Sequence, residues 1–218
     1  MKLSLLVVAL EAVAVAQALP APGGKGGGSL LDKISDLFSS RPAARTCPKT
    51  PSKLDQAGAG FQRFAWVGAG LARSSAPHYV CRDGDQLLTP ASLTFLRQQR
   101  ITHVISLNEQ ARSPAIAGAL RGHGIDYTPL PVRDFGAPTR RDLEAAYDAF
   151  SAHRGGRTLV WCGYGDGRTG TLITALQIFM ANEQPKPKRI SHRDYKKNRV
   201  ETQGQCRVLD ALQADLRG

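Results

Sequence analysis

The segment from Thr158 to Thr171 constrains the fold of this chain more than any other. It reads TLVWCGYGDGRTGT, which is an apolar run ending at Cys162, a loop with three alternating glycines, and a helical start at Arg168. Glycines let successive backbone N–H groups turn inward around an anion, and the positive end of the following helix dipole adds to the same site. The segment therefore predicts a strand, an anion-binding loop and a helix in direct succession.

The chain from Phe61 onward alternates strand and helix patterns. The predicted strands are 64–67, 101–107, 127–132 and 158–162, and the predicted helices are about 89–99, 112–122, 139–153, 169–183 and 201–216. Strands separated by helices indicate an α/β fold with a mostly parallel sheet of four to five strands flanked by helices. Because ligands of such sheets bind beyond the carboxyl ends of the strands, we look for the site in the loops that leave them.

The first 60 residues lie outside this pattern. Residues 1–18, with a basic start, an apolar run and small residues at the cleavage positions, predict a signal peptide and a secreted protein. The alternative is a buried first helix, and Glu11 within the run counts against a signal. Residues 19–60 predict a linker around a short amphipathic helix, 29–40, that docks on the domain or contacts a membrane surface or partner. The domain proper is expected at 61–218, with no membrane span.

The net charge of +11 is concentrated in residues 185–199, which hold seven Lys or Arg and one Asp. This segment could contact an acidic partner, or it could be a solvated surface excursion between two helices. Since it lacks interleaved aromatics and any nucleic-acid motif, no nucleic-acid partner is expected. The five histidines have no metal-ligand spacing, so we expect no metal and no other cofactor.

Cys162 stands at the base of the predicted anion-binding loop. Positive potential there stabilises a thiolate and makes the cysteine a nucleophile, while the planar fork of Arg168 can hold two phosphoryl oxygens at once. The spacing Cys-x5-Arg arises easily by chance, and the alternative is a structural cysteine in an ordinary turn. The strand, the glycines and the helix around it favour a phosphate site.

Cys162 to Gly170 resembles the Cys-x5-Arg-[Ser/Thr] signature loop of the cysteine-dependent protein tyrosine phosphatases, and the domain size resembles the dual-specificity branch. The resemblance covers roughly residues 61–216 and includes segments 64–77, 101–108, 127–139 and 200–205. It implies a hydrolase that acts on a phosphorylated protein or a small phosphorylated substrate through a phosphocysteine intermediate.

The resemblance also implies residue roles. Cys162 would attack phosphorus, Arg168 would bind the equatorial oxygens, and Asp134 would protonate the leaving group and then activate water. Thr169 would stabilise the departing thiolate, and Gln205 would position the water. The phosphate would be bound by the loop positions Gly163, Tyr164, Gly165, Asp166, Gly167 and Arg168.

Two carboxylates and one substitution leave alternatives open. Asp134 could instead be a solvated loop residue beside Arg133, and the Asp166 side chain is expected to point out of the loop because it would repel phosphate. Trp161 stands where the family usually has His, so a phosphate-binding module without turnover is the second hypothesis. A third is an inositol-phosphate phosphatase, although residues 163–167 contain no Lys, Arg or His.

If Cys162 is a free thiol, three other cysteines remain, at 47, 81 and 206. A Cys47–Cys81 bridge would pin the linker to the domain in an oxidising compartment, and the alternative is that all are reduced. A secreted thiol enzyme is exposed to oxidation, which suggests delivery into another cell as one hypothesis.

Overall fold

A computed structural model describes residues 58–68 and 70–217, all within the unit Arg45–Gly218. The predicted signal peptide and helix 29–40 lie outside the described residues. The described part forms five strands and six α-helices, in the order β1 (Ala65–Gly68), β2 (Leu71–Ser75), α1 (Pro90–Gln98), β3 (His103–Ser106), α2 (Pro114–Arg121), β4 (Asp126–Pro129), α3 (Arg140–Ala152), β5 (Thr158–Cys162), α4 (Gly167–Asn182), α5 (His192–Lys197) and α6 (Gln203–Asp215). None of these helices is long and apolar enough to cross a bilayer.

The strands form one sheet in the order β1-β2-β5-β3-β4. Strands β2, β5, β3 and β4 are parallel, and only β1 runs antiparallel, against β2. This confirms the predicted α/β fold with a mostly parallel sheet. Because four strands point the same way, the loops that follow them emerge at one edge of the sheet.

Strand β2 was not among the predicted strands, although it lies beside the central strand β5. Its sequence, LARSS, offers only Leu71 and Ala72 as apolar residues, yet all five residues are buried. The two serine hydroxyls donate to backbone carbonyls, Ser74 to Ser75 and Ser75 to Ala76, at 2.7 and 2.9 Å. A strand whose polar groups are satisfied locally can occupy a sheet interior without an apolar pattern.

The core has two parts, one on each face of the sheet, because successive side chains of a strand point to opposite faces. Strand β5 illustrates this: Leu159 and Trp161 pack on the side of α1 and α2. Val160 and Cys162 face the cluster that includes residues of α3, α4 and α6. The continuously apolar sequence of β5 therefore reflects burial on both faces.

Candidate active site

The four loops that leave the parallel strands converge on one side chain, Arg168. Each loop contributes at least one group: Asp83 after β2, the Leu107 carbonyl after β3, the Val132 carbonyl and Asp134 after β4, and Cys162 to Arg168 itself after β5. The topology thus brings together residues up to 85 positions apart in the sequence. A parallel sheet places sites at this edge for the same reason.

The loop after β5 begins at Cys162 and wraps around its thiol. Its Sγ accepts a hydrogen bond from the backbone N–H of Gly165 at 3.3 Å, and the residue is almost completely buried. Gly165 has φ +96°, and a Cβ there would lie 2.7 Å from the backbone of Ser74 in β2. Glycine is therefore required at this position both for backbone conformation and for the close contact with the neighbouring strand.

The N-terminus of α4 is not capped by its own N-cap residue. Asp166 occupies the N-cap position, but its side chain makes no capping hydrogen bond. Its carboxylate instead pairs with Arg73 at 3.4 Å and with Arg199 at 3.1 Å. The first backbone N–H groups of a helix have no partner within the helix, so this terminus can receive an anion.

The guanidinium of Arg168 is held on several sides. Asp83 accepts from both terminal nitrogens, Oδ2 from Nη1 at 2.5 Å and Oδ1 from Nη2 at 3.0 Å. The carbonyls of Val132 and Leu107 accept from Nη1 at 2.9 and 3.3 Å, and Asp134 Oδ1 accepts from Nη2 at 2.8 Å. With 3% of its side chain exposed, Arg168 is a buried cation whose orientation is fixed by its neighbours.

The two buried arginines near the loop respond differently to their surroundings. Burial lowers the pKa of Arg73, because the attraction of Asp166 does not compensate for desolvation. Burial acts in the same direction on Arg168, but its hydrogen bonds to Asp83 and the nearby charges of Cys162 and Asp134 outweigh it and raise the pKa. The site thus stabilises the cation of Arg168 in the position that would face a phosphate.

Asp134 lies in the exposed loop after β4, with 54% of its side chain accessible. The next residue, Phe135, has φ +57°, and the N–H of Gly136 donates to the Arg133 carbonyl at 2.8 Å in a tight turn. Left-handed backbone at a bulky residue is strained and is found preferentially at functional sites. The strained turn presents Asp134 to the fork of Arg168.

Gln205, at the start of α6, connects this turn to the helix. Its Nε2 donates to the Gly136 carbonyl at 3.0 Å, and its Oε1 accepts from the N–H groups of Glu201 and Thr202 at 2.9 and 3.2 Å. Gln205 is fully buried and lines the same pocket as Cys162. These bonds give it a structural function in holding the loop that carries Asp134.

Thr169 carries a hydroxyl that has no hydrogen-bond partner among the described residues, although the atom is buried. The other threonines of α4 behave differently, since Thr171 and Thr174 each donate to the carbonyl four residues earlier at 2.7 Å. A buried hydroxyl without a partner is costly and is typical of a group reserved for a ligand or a reacting atom.

Tyr164 forms the exposed rim of the site. The Arg63 guanidinium lies 3.4 Å from the centre of the Tyr164 ring, and its Nε donates to the Tyr164 carbonyl at 2.8 Å. Tyr79 contacts the same ring edge-to-face at 6.2 Å. This cation–π contact fixes an aromatic surface beside the pocket.

One pocket brings together seven of the predicted residues with Phe135 and Glu201, whereas the predicted residues Gly163, Gly165 and Thr169 do not line it. Its lining is Asp134, Phe135, Cys162, Tyr164, Asp166, Gly167, Arg168, Glu201 and Gln205. No cluster of three potential metal ligands occurs in the described part of the chain. The model of the PTP-SAK family, described as "Swiss Army Knife protein, DSP-PTPase phosphatase domain", matches residues 84–215. The chain belongs to this phosphatase family.

Solved structures of phosphatases and related proteins share the fold of this family member. Tk-PTP is 20% identical with a TM-score of 0.56, over 71% of this chain and 96% of its own. PTPMT1 in complex with PI(5)P is 15% identical with a TM-score of 0.56, over 71% and 96%. The human tyrosine phosphatase-like serine/threonine/tyrosine-interacting protein is 16% identical with a TM-score of 0.53, over 71% and 98%. No curated protein sequence matches the chain.

In this PTP-SAK domain Trp161 takes the position before Cys162. Its ring is fully buried between Phe61 and Tyr127, with centroid distances of 6.0 and 6.4 Å. The indole N–H donates to Ser106 Oγ at 2.8 Å and therefore points into the sheet. Trp161 is a core residue of the phosphatase domain.

Four charged residues of the PTP-SAK site were not predicted from the sequence, namely Asp83, Arg73, Arg199 and the pocket residue Glu201. Asp83 follows β2, a strand whose polar sequence gives no local signal. Arg73, inside a fully buried strand, donates to the Gly165 carbonyl at 2.6 Å and so supports the loop from below. Arg199 ends the basic segment 185–199, which thereby reaches the loop through Asp166.

Proposed function

We propose that this chain hydrolyses phosphoric monoesters in proteins, on tyrosine or on serine and threonine, through a phosphocysteine intermediate. Membership of the phosphatase family supports a hydrolase of this type. The observation that carries the proposal is the shared pocket in which the Cys162 thiol, the Arg168 fork and the Asp134 carboxylate meet. Nucleophile, anion holder and acid are the three groups that the reaction needs.

In the first step, the Cys162 thiolate attacks phosphorus and the P–O bond to the substrate breaks. The open N-terminus of α4 and the guanidinium of Arg168 bind the phosphoryl oxygens, where negative charge builds up in the transition state. Asp134 gives its proton to the departing oxygen, so that an alcohol or phenol leaves. The thiol is now phosphorylated.

In the second step, water attacks the phosphocysteine and inorganic phosphate leaves. Asp134, now a carboxylate, accepts the proton of the attacking water, and the electron pair of the S–P bond returns to Cys162. The unpartnered Thr169 hydroxyl is suited to donate to the emerging thiolate. Gln205 holds the turn that carries Asp134, which supports a function in positioning that turn. The family resemblance also implies that Gln205 positions the attacking water.

A phosphate-binding module without turnover is the second candidate function. It is favoured by Trp161, whose indole N–H is used by Ser106 and so cannot support the loop as a histidine would. An inositol-phosphate phosphatase is a third candidate, favoured by the complex of PTPMT1 with PI(5)P. The absence of basic residues at 163–167 argues against substrates with several phosphates.

The test is hydrolysis of an aryl phosphate by the parent, by Cys162→Ser and by Asp134→Ala. We expect the serine variant to lose all turnover and the alanine variant to lose roughly 100-fold or more in kcat, as for other general acids. Activity of the serine variant equal to that of the parent would show a different nucleophile. An inactive parent that still binds phosphopeptide would favour the binding module, and a panel of phosphopeptides and inositol phosphates separates the substrate classes.

We also propose, from the sequence of residues 1–18, that the protein is secreted. The expected mature N-terminus is Leu19, and N-terminal sequencing of protein collected from the medium tests it. Detection of the uncut chain inside the producing cell alone would contradict this proposal.

A further inference from the structure

Asp83 lies opposite the signature loop and just before the first residue matched by the family model. Only 10% of its side chain is exposed, compared with 54% for Asp134. Its two carboxylate oxygens face the two terminal nitrogens of Arg168, at 2.5 and 3.0 Å. This is the bidentate geometry in which a carboxylate fixes both the position and the plane of a guanidinium.

A guanidinium has more than one edge that can hold two oxygens. Asp83 takes the edge formed by Nη1 and Nη2, and the Val132 carbonyl takes the outer hydrogen of Nη1. The side edge is formed by Nε and the outer hydrogen of Nη2, and Asp134 Oδ1 accepts from this Nη2. An oxyanion in the loop would bind at this edge and take the place of the Asp134 contact. Because the group is planar and rigid, fixing the end edge also fixes the direction of the side edge.

Asp83 is itself held in place by its surroundings. Its Oδ2 accepts from the N–H of Glu109 at 2.6 Å, and its carbonyl accepts from Asn108 Nδ2 at 3.1 Å. The neighbouring Asp85 accepts from the backbone N–H groups of Cys81 and Arg82, both at 2.6 Å, and so closes the 3₁₀ turn Asp83–Asp85. A carboxylate fixed by the backbone of two loops can impose its geometry on Arg168 and is not simply drawn along by it.

We propose that Asp83 is a positioning residue that orients the side edge of Arg168 toward the tetrahedral oxyanion bound in the signature loop. It touches no reacting atom and acts only through Arg168. The expected effect of Asp83 on turnover rests on the proposed function. Its expected effect on oxyanion binding does not depend on that function. It assigns a function to the loop after β2, which the proposed mechanism leaves without one.

The test uses Asp83→Ala and the isosteric Asp83→Asn in the full chain. The control is Asp215→Ala, because Asp215 also pairs with an arginine, Arg140 at 2.6 Å, but lies on α6 and is not a pocket residue. We measure kcat and KM for p-nitrophenyl phosphate, and the dissociation constant of tungstate, a tetrahedral oxyanion, by calorimetry. Circular dichroism identifies any variant that does not fold, in which case the asparagine variant decides.

We expect both Asp83 variants to lose roughly 100-fold in kcat with a smaller change in KM, because a misdirected fork loses its best contacts in the transition state. Tungstate should bind roughly tenfold more weakly, as expected for one lost charge-assisted bond. A large loss in kcat with a small change in KM, measured on folded protein, would not be explained by a general loss of stability. The control should retain the parent values.

If Asp83 did not orient Arg168, its removal should strengthen anion binding, because a negative charge near the pocket would be lost. Tungstate binding that is unchanged or tighter in both Asp83 variants would overturn the inference and make Asp83 a mere competitor for Arg168. If the parent does not turn over the aryl phosphate, the proposed function fails. The tungstate measurement then still decides whether Asp83 orients Arg168.

Discussion

His103 offers a sharp prediction about stability because it is a fully buried histidine in the central sheet. Its ring nitrogens lie 3.2 Å from Thr158 Oγ1 and 2.9 Å from Thr128 Oγ1, and the ring stacks on His153 at 3.9 Å. Burial, followed by the charge of His153, lowers the pKa of His103 from 6.5 to about 4. The folded protein therefore keeps His103 neutral at pH values at which the unfolded chain protonates it.

The sign follows from proton binding. Below pH 6.5 the unfolded chain binds a proton at this histidine that the folded protein does not, so stability is lost as the pH falls. The free energy of unfolding should drop by about 2 kcal/mol between pH 7.5 and pH 5 from this residue alone, and by about 3 kcal/mol near pH 4. His153 offsets part of this loss of stability. The hydrogen bond to the Ala149 carbonyl, and then Asp126, raise its pKa, so the folded protein binds this proton more tightly than the unfolded chain does.

The assay is urea unfolding of the parent and of His103→Gln at several pH values between 7.5 and 4.5. Both tryptophans of the chain, Trp66 and Trp161, lie in the described domain, so their fluorescence reports on its unfolding. Titrations common to both proteins cancel in the difference. The variant should be less stable at pH 7.5 and lose less stability on acidification. Parallel curves for the two proteins would refute a lowered pKa at His103.

Two further substitutions test the signature loop and the core behind it. Gly165→Ala should abolish turnover, because the new Cβ would lie 2.7 Å from Ser74 at φ +96°, whereas Gly118→Ala, with no atom within 4 Å, should leave kinetics unchanged. Equal activity of the two alanine variants would contradict the close contact. Trp161→Phe removes the indole bond to Ser106 and part of a buried ring, so urea unfolding should show a loss of about 2 kcal/mol. A variant as stable as the parent would show that this bond contributes little.

The positions of Cys162, Arg168 and the loop between them were predictable because their pattern is local. An apolar strand, alternating glycines and a helix start all lie within residues 158–171, and the structure has β5 and α4 there. The short helix α5 was missed, although Ser191 and Asp194 form a capping box that was readable in the sequence. Six residues, largely charged, gave too weak a periodic pattern for a prediction.

Asp83 could not be predicted for a different reason. It acts over 85 positions of sequence, and its relevance depends on the pairing of β2 with β5. The polar sequence of β2 hides that strand, since the burial of Arg73, Ser74 and Ser75 arises from tertiary structure alone. Contacts of this kind follow from topology, which no local pattern contains.

The disulfide at Cys81 has a practical consequence for measuring this protein. Cys81 is disulfide-bonded, whereas Cys162 and Cys206 are free. The backbone N–H of Cys81 is bonded to Asp85, in the turn that carries Asp83. Reductants added to protect Cys162, the proposed nucleophile, would also open this bridge, while omitting them exposes Cys162 to oxidation. The two sulfur sites thus require opposite conditions, and the highest measured rate should occur at an intermediate thiol-to-disulfide ratio in the buffer.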